Sequence, residues 1–335
     1  MEAQRRGRAG TLDPRQVLEL VAHTAVELDR RDGRAGDRRS PGGREEGAQA
    51  PRLVHLERLP ARPGRFVDLP QDMPVEVRSR LELFGVDRLY GHQARCLELA
   101  RSGRHVIVAT GTASGKTLCY QLPVLETLVS DPKASALYLA PTKALARDQL
   151  RTLRAWRLPQ LRPAALDGDT PRPERDAVRR TANLVLTNPD LLHHTLLADH
   201  ARWADLLHRL AFVVVDECHV ARGVFGAHVA LVLRRLRRLC ERYDAAPTFL
   251  LASATVGNPR EHAMTLTGLG SDVHAVVEDG APRGPLEVGL WQPPLLDEDA
   301  GVRRSTLSES GELLAAFVAA GVQTLVFTKS RRAAE

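Results

Sequence analysis

Within VATGTASGKTLCY, residues 108–120, Lys116 is one of only four lysines in a chain of 335 residues that carries 47 basic side chains. An apolar run precedes it and helix-forming residues follow, beginning near Leu118. Thr110, Gly111, Thr112, Ala113, Ser114 and Gly115 are small enough to let backbone N–H groups crowd round an anion. A helix N-terminus directly behind them adds roughly half a positive charge. Lys116 suits this place as a compact, mobile point charge for β- and γ-phosphates, where the broad planar fork of arginine would not fit. Thr117 then offers its hydroxyl to Mg²⁺. Two positions depart from the usual phosphate-loop pattern, which wants glycine where this chain has Thr110. Ala113 is the other, because alanine held left-handed costs about 1–2 kcal/mol; a slightly different loop path is expected.

Further along, FVVVDECH brings Asp216 and Glu217 to the end of another apolar run. Beyond a phosphate loop, such a pair suits two roles. Asp216 would hold Mg²⁺ through its water shell, and Glu217 would orient and deprotonate an attacking water. LLASATV sets Ser253 and Thr255 at the next run's end, where their hydroxyls are expected to bond Asp216 and His219. Upstream, LYGHQARCLELA carries Gln93, whose primary amide can make two hydrogen bonds to an adenine edge. A Ser-Ala-Thr or a Gln at a helix start says little alone; their order along the chain gives them meaning.

The elements that must position these residues are legible as short apolar runs. HVIVA at 105, ALYLA at 136, LVLT at 184, FVVVD at 212, TFLLAS at 248 and TLVFT at 324 predict strands buried on both faces. Helix-period segments lie between most of them. In the clearest, Val229, Val232, Leu233, Leu236, Leu239, Cys240 and Tyr243 form one apolar stripe, and its arginine face reads as solvated. Strands alternating with helices predict an α/β domain with a mainly parallel sheet. Ligands of such sheets bind outside the carboxyl ends of the strands. That rule selects TGTASGKT, PTKA, NPD, DECH and SAT. The span from Lys116 to Asp216 leaves room for two intervening strands.

Bulk properties bound the rest. A net charge of +6 permits a polyanionic partner. Four scattered cysteines, with no C-x-x-C, suggest neither a zinc site nor a disulfide framework; reduced thiols fit a cytoplasmic protein. No run approaches the ~20 apolar residues that cross a bilayer. Residues 14–29 predict an amphipathic helix, with Asp13 as cap, Pro14 at its first position and Val17, Leu20, Val21, Thr24 and Leu28 on one face. The Arg/Gly/Asp-rich stretch after it reads as a disordered linker. The expected organisation is 1–50 as helix and linker, 51–88 as a lead-in, 89–280 as the nucleotide-binding domain and 281–335 as the start of another.

Taken in order, these stretches resemble superfamily 2 helicases of the DEAD/DEAH-box type from about Leu89 onward. ATGTASGKT looks like motif I, APTKALARDQ like Ia, LDGDT like the glycine motif, TNPDLL like Ib, DECH like II, SAT like III and TLVFTKSRR like IV. LYGHQA, TGTASGKTLCYQLPVL and VARGVFGAHVALVLRRLRR resemble the bacterial helicases of the mitomycin-repair group, relatives of the RecQ-four-like repair helicases. Cys218 replaces the more usual alanine of motif II. The resemblance implies a RecA-like P-loop domain using ATP and Mg²⁺, in a 3′–5′ DNA helicase of DNA repair. It implies that Pro141, Thr142, Lys143, Gly168, Thr187, Asn188 and Pro189 face nucleic acid, in particular single-stranded DNA. Hydroxyls, an amide, backbone N–H groups and one lysine suit phosphate contacts that do not read sequence. With three tryptophans and four tyrosines, extensive base stacking is not expected. It further implies that residues 281–335 begin a second RecA-like domain whose arginine-bearing motifs lie beyond Glu335. The chain alone should then bind nucleotide weakly and leave duplexes intact. An RNA helicase or duplex translocase on the same engine, and a nucleic-acid-binding fragment without turnover, remain open.

Overall fold

The structure is a computed structural model that describes residues 52–297 and 299–334. The helix expected over residues 14–29 and the linker after it lie outside the described residues. The chain divides into a larger unit, Arg62–Arg283, and a smaller one that joins the segment ending at Ala61 to the segment from Gly284.

In chain order the elements are β1 (Leu53–Leu59), β2 (Phe66–Asp68), α1 (Val75–Leu83), β3 (Arg88–Tyr90), α2 (Gly91–Arg101), β4 (His105–Ala109) and α3 (Lys116–Ser130). There follow β5 (Ser135–Leu139), α4 (Lys143–Ala155), β6 (Pro163–Ala165), α5 (Arg172–Thr181), β7 (Leu184–Thr187), α6 (Pro189–Leu191) and α7 (Ala204–His208). The remainder comprises β8 (Leu210–Val215), α8 (Gly223–Arg242), β9 (Thr248–Ser253), α9 (Pro259–Thr267), β10 (Val273–Val276), β11 (Leu286–Trp291), β12 (Leu295–Asp297), β13 (Val302–Arg303) and α10 (Thr306–Ala319).

Seven strands of the larger unit form one sheet in the order β10-β4-β9-β8-β5-β7-β6, and every neighbouring pair is parallel. Alternation along each strand serves two cores. Val106, Val108, Ala136, Tyr138, Phe212, Val214, Leu250 and Ala252 face one core, together with Leu97, Leu122, Leu125 and Leu153 from α2, α3 and α4. Ile107, Leu137, Leu139, Val213, Val215, Phe249 and Leu251 face the other, against Val229, Leu233 and Leu236 of α8 and Ala263 and Leu266 of α9. Burial on both faces is why these strands are apolar throughout. At about 1.5–3 kcal/mol for each fully buried large side chain, this double burial holds the strand ends in place.

Three strands, not two, separate Lys116 from Asp216 in sequence: β5, β6 and β7. Only three residues long and opening on Pro163, β6 lies at the sheet edge, where a residue without a backbone donor is tolerated. The lead-in 51–88 divides. Its strand β1 pairs antiparallel with β11, whereas β2 pairs with β3 and the fully buried Val77 and Leu81 of α1 join the first core. The strand expected at 324–328 does not form. No strand among the described residues offers it a ladder, and Leu325 and Phe327 stand 76% and 87% exposed. In the smaller unit the buried Glu309 carboxylate accepts from Trp291 Nε1 at 2.8 Å, Arg304 Nη1 at 3.1 Å and Arg52 Nη1 at 3.4 Å. These three donors offset the cost of burying a charge.

Candidate active site

The loop after β4 wraps its own lysine. Lys116 Nζ donates to the carbonyl oxygens of Thr110 at 3.0 Å and Gly111 at 2.7 Å. Thr110 and Ser114 are buried, and their hydroxyls hydrogen-bond each other at 2.7 Å across the loop. Gly115 caps α3 with φ +76°, and a Cβ there would stand 2.7 Å from Gln93 Nε2, so both conformation and space require glycine. Ala113 does adopt the left-handed conformation, φ +59°. The loop therefore carries the strain weighed from sequence instead of taking a path that avoids it. Gln93, placed by sequence near an adenine, has both ends of its amide engaged. Its Oε1 accepts from Tyr90 N at 2.9 Å and its Nε2 donates to Gly115 O at 2.9 Å. In this conformation it braces the loop.

Asp216 follows β8, and β9 lies between β8 and β4, so the loop, the acids and the Ser-Ala-Thr turn stand at three adjacent carboxyl ends. The carboxylate, 8% exposed, has both oxygens engaged. Oδ1 accepts from Glu217 N at 2.9 Å, and Oδ2 accepts from the Tyr120 hydroxyl at 3.3 Å and from the Tyr138 hydroxyl. Tyr120 stands three residues after Thr117 on α3, so one phenol joins the helix behind the loop to the acid of β8. Burial, reinforced by neighbouring charge, pushes both phenols far above their usual range and keeps them donors. Neither tyrosine was singled out from sequence. Each ring reads as core; for Tyr138 the signal was a hydroxyl next to the end of a strand buried on both faces.

Glu217 has φ +49°, a strained conformation for a side-chain-bearing residue and one that turns it away from the strand direction. Its Oε2 is 3.1 Å from His219 Nδ1, which also accepts from Ala254 N at 3.1 Å. The two contacts compete for one nitrogen: accepting from Ala254 requires Nδ1 bare, and donating to Glu217 requires it protonated. The expected hydroxyl link is corrected accordingly. Ser253 Oγ donates to the Ala254 carbonyl at 2.8 Å, Thr255 is exposed, and the backbone N–H between them reaches His219. His262 Nε2 donates to Cys218 O at 2.8 Å, pinning the turn from behind. Burial pushes the Cys218 thiol up to about 12, so it packs as an inert group.

The remaining predicted residues lie on the other half of the sheet, after β5, β6 and β7. Thr142 caps α4 through Leu145 N, and Asn188 accepts from Leu191 N at 2.8 Å. Lys143 Nζ pairs with Asp169 at 2.7 Å and would stand 3.7 Å from a Cβ on Gly168. Pro141 and Pro189 flank these turns. Thr187 is buried, and its Oγ1 has no hydrogen-bond partner. Lys143, Gly168 and Asn188 therefore reach the surface, whereas Thr187 points its side chain inward.

A phosphate loop on β4, an acid pair on β8 and a small polar turn on β9, all at the carboxyl edge of a parallel sheet, define a RecA-like P-loop nucleotide-binding domain. The DEAD/DEAH box helicase profile matches residues 90–262, and the chain belongs to that family. It is 39% identical over 282 residues to the ATP-dependent helicase YprA of Bacillus subtilis (strain 168), a match covering 83% of this chain and 37% of that protein. Over 293 residues it is 36% identical to the ATP-dependent helicase HRQ1 of Saccharomyces cerevisiae, covering 85% of this chain and 27% of that protein. It superposes on the DUF1998 helicase MrfA bound to DNA and AMPPNP with a TM-score of 0.80 at 36% identity, covering 92% of this chain and 41% of that one. These relatives fit the mitomycin-repair-like helicase group. The DEAD-box helicase Mss116 bound to ssRNA and UDP-BeF shares the fold, with a TM-score of 0.54 at 16% identity, covering 64% of this chain and 46% of that one. The chain spans less than half the length of these relatives.

Proposed function

We propose that this chain is the ATP-binding engine of a DNA helicase, coupling ATP hydrolysis to 3′–5′ movement along single-stranded DNA in DNA repair. The observation that carries the reading is that the Lys116 loop and the Asp216–Glu217 pair stand at strand ends one strand apart, with Tyr120 of the helix behind the loop donating to Asp216. Lys116 exchanges the carbonyls of Thr110 and Gly111 for phosphate oxygens, a swap of weak dipoles for full negative charge. The loop N–H groups and the N-terminus of α3 take the remaining charge. Thr117 and Asp216 form an all-oxygen donor set, which suits Mg²⁺. When bound, that ion would supply charge neutralisation between the phosphates. Glu217, released from His219, orients and deprotonates the attacking water.

Support for DNA comes from MrfA, whose structure holds DNA and AMPPNP. We assign the corresponding role in this chain to Lys143, Gly168 and the turns at Pro141 and Pro189, whose groups suit phosphate contacts without sequence reading. No described helix is long and apolar enough to cross a membrane. The four buried free thiols suit a reducing, cytoplasmic setting.

The test measures phosphate release by the full-length protein with single-stranded DNA, duplex DNA and RNA, alongside binding of a fluorescent ADP. We expect binding that Lys116→Ala abolishes, and turnover stimulated best by single-stranded DNA and lost in Glu217→Gln. Turnover that survives Glu217→Gln would overturn the assignment of the base. Nucleotide binding with no turnover under any nucleic acid would leave a binding module in place of an engine.

A further inference from the structure

We propose that His92 is a positioning residue for the phosphate loop: held at Nδ1 by the backbone of Gly280, it presents Nε2–H to the Ser114 carbonyl when the loop carries a nucleotide. The proposal rests on the ATP-site reading above and adds to it a side chain that the chemistry there does not use.

His92 is 2% exposed. Its Nδ1 accepts from Gly280 N at 3.1 Å, so the ring proton sits on Nε2. That Nε2 is buried and has no acceptor in good hydrogen-bond geometry, although the Ser114 carbonyl already acts on the ring as a loose backbone partner. A buried donor without a well-placed partner is costly, and the cost is explained if another state of the molecule supplies the acceptor. The groups around the ring identify it. The Ser114 carbonyl of the loop, the Asp279 carboxylate, Lys116 and Arg62 all act on the imidazole, while burial holds it neutral. Tyr90 stacks on it at 5.9 Å, which fixes the ring plane.

Three of the loop's other carbonyls are already engaged: those of Thr110 and Gly111 by Lys116, that of Gly115 by Gln93. When Lys116 leaves for phosphate oxygens, the loop backbone settles anew and Ser114 O closes on Nε2–H. The other end of the ring is anchored firmly. Asp279, the residue before Gly280, is paired with Arg62 at 2.7 Å, and its Oδ2 would stand 3.3 Å from a Cβ on Gly111. The imidazole thus joins the loop to the Val277–Arg283 segment after β10.

Two variants separate the two nitrogens. In His92→Asn the side-chain oxygen replaces Nδ1 and nothing replaces Nε2; in His92→Gln the amide reaches the Nε2 position. Fluorescent-ADP titration and nucleotide-free urea melts of the whole chain are the readouts, with KM and kcat for phosphate release. We expect His92→Asn to melt near wild type yet bind nucleotide roughly tenfold more weakly, with KM raised and kcat little changed. His92→Gln should restore affinity to within about threefold. Wild-type affinity in His92→Asn, or weaker binding in His92→Gln than in His92→Asn, overturns the proposal. If either variant fails to fold, ring ¹⁵N spectra of the wild type decide. The Nε2–H signal must move downfield on adding ADP, and an unmoved signal refutes the role. Lys116→Ala keeps the two readings distinct: loss of binding there with none in His92→Asn sinks only this inference, whereas unchanged binding in both sinks the ATP site.

Discussion

Tyr138→Phe removes one oxygen from the centre of the site and leaves the ring. The lost group donates to Asp216 Oδ2, which Tyr120 also serves from 3.3 Å. Because the carboxylate is almost wholly buried, water does not readily replace the missing donor. A hydrogen bond to a charged acceptor contributes about 1.5–3 kcal/mol. Phenylalanine fills nearly the same volume, so no cavity penalty is added. The expected loss is about 1.5–3 kcal/mol, seen in urea as a lower midpoint at unchanged slope. In a unit of this size it corresponds to a fall in Tm of about 3–12 °C. A double-mutant cycle isolates the cause. With Asp216→Asn as background the acceptor is neutral, and Tyr138→Phe should cost only about 0.5–1.5 kcal/mol. A wild-type midpoint for Tyr138→Phe, or simple additivity with Asp216→Asn, would mean that the phenol does not hold the carboxylate.

Ala113→Gly should leave the chain as stable as before or stabilise it by up to about 1.5 kcal/mol, since relief of left-handed strain outweighs the added freedom of the unfolded chain; a thermal melt showing a clear loss would contradict the strain. Acid should weaken the fold before the carboxylates titrate. Burial lowers the folded pKa of both His92 and His105, so the unfolded chain binds their protons first, and the stability they contribute, complete above about pH 6.5, drains away as pH falls toward the folded values. Urea midpoints at pH 7.5 and 5.5 measure this, and a profile no steeper in wild type than in His105→Gln would refute it.

Residues whose chemistry allows no substitute were the legible ones. Lys116 among arginines, and Asp216 with Glu217 after four apolar residues, announced a site because no packing need calls for them. Strands such as Leu184–Thr187 and Thr248–Ser253 were readable to the residue, since burial on both faces leaves an unbroken apolar run. Where the outcome depended on distant partners, legibility failed. Residues 324–328 have a strand's composition, yet a strand also needs a neighbour. Pro163–Ala165 has a neighbour and almost no strand composition. The contact between the β9 turn and His219 was assigned to hydroxyls, because side chains are visible in a sequence; the Ala254 N–H that makes it belongs to the backbone, and residue types do not reveal it. Tyr120 and Tyr138 were hidden by their own rings.

The sheet order supplies a physical reason for the partition of the site. Nucleotide groups follow β4, β9 and β8, and the predicted nucleic-acid groups follow β5, β7 and β6, so the halves meet only where β8 pairs with β5. At that seam Asp216 N donates to Leu139 O at 2.9 Å, and the Asp216 carboxylate accepts from Tyr138, the residue before Leu139. Pro141 and Lys143 lie just beyond on the same chain. Any displacement of the carboxylate would therefore stretch a bond to β5 or carry β5 with it. Packed cores on both faces resist bending of the strand, so such a displacement would be passed to the end of β5, just before Lys143. Tyr138→Phe would remove the side-chain half of that link and leave the Asp216 N–Leu139 O bond, Lys116, Glu217 and the surface residues in place. Coupling between nucleotide and nucleic acid should then weaken more than either binding step alone.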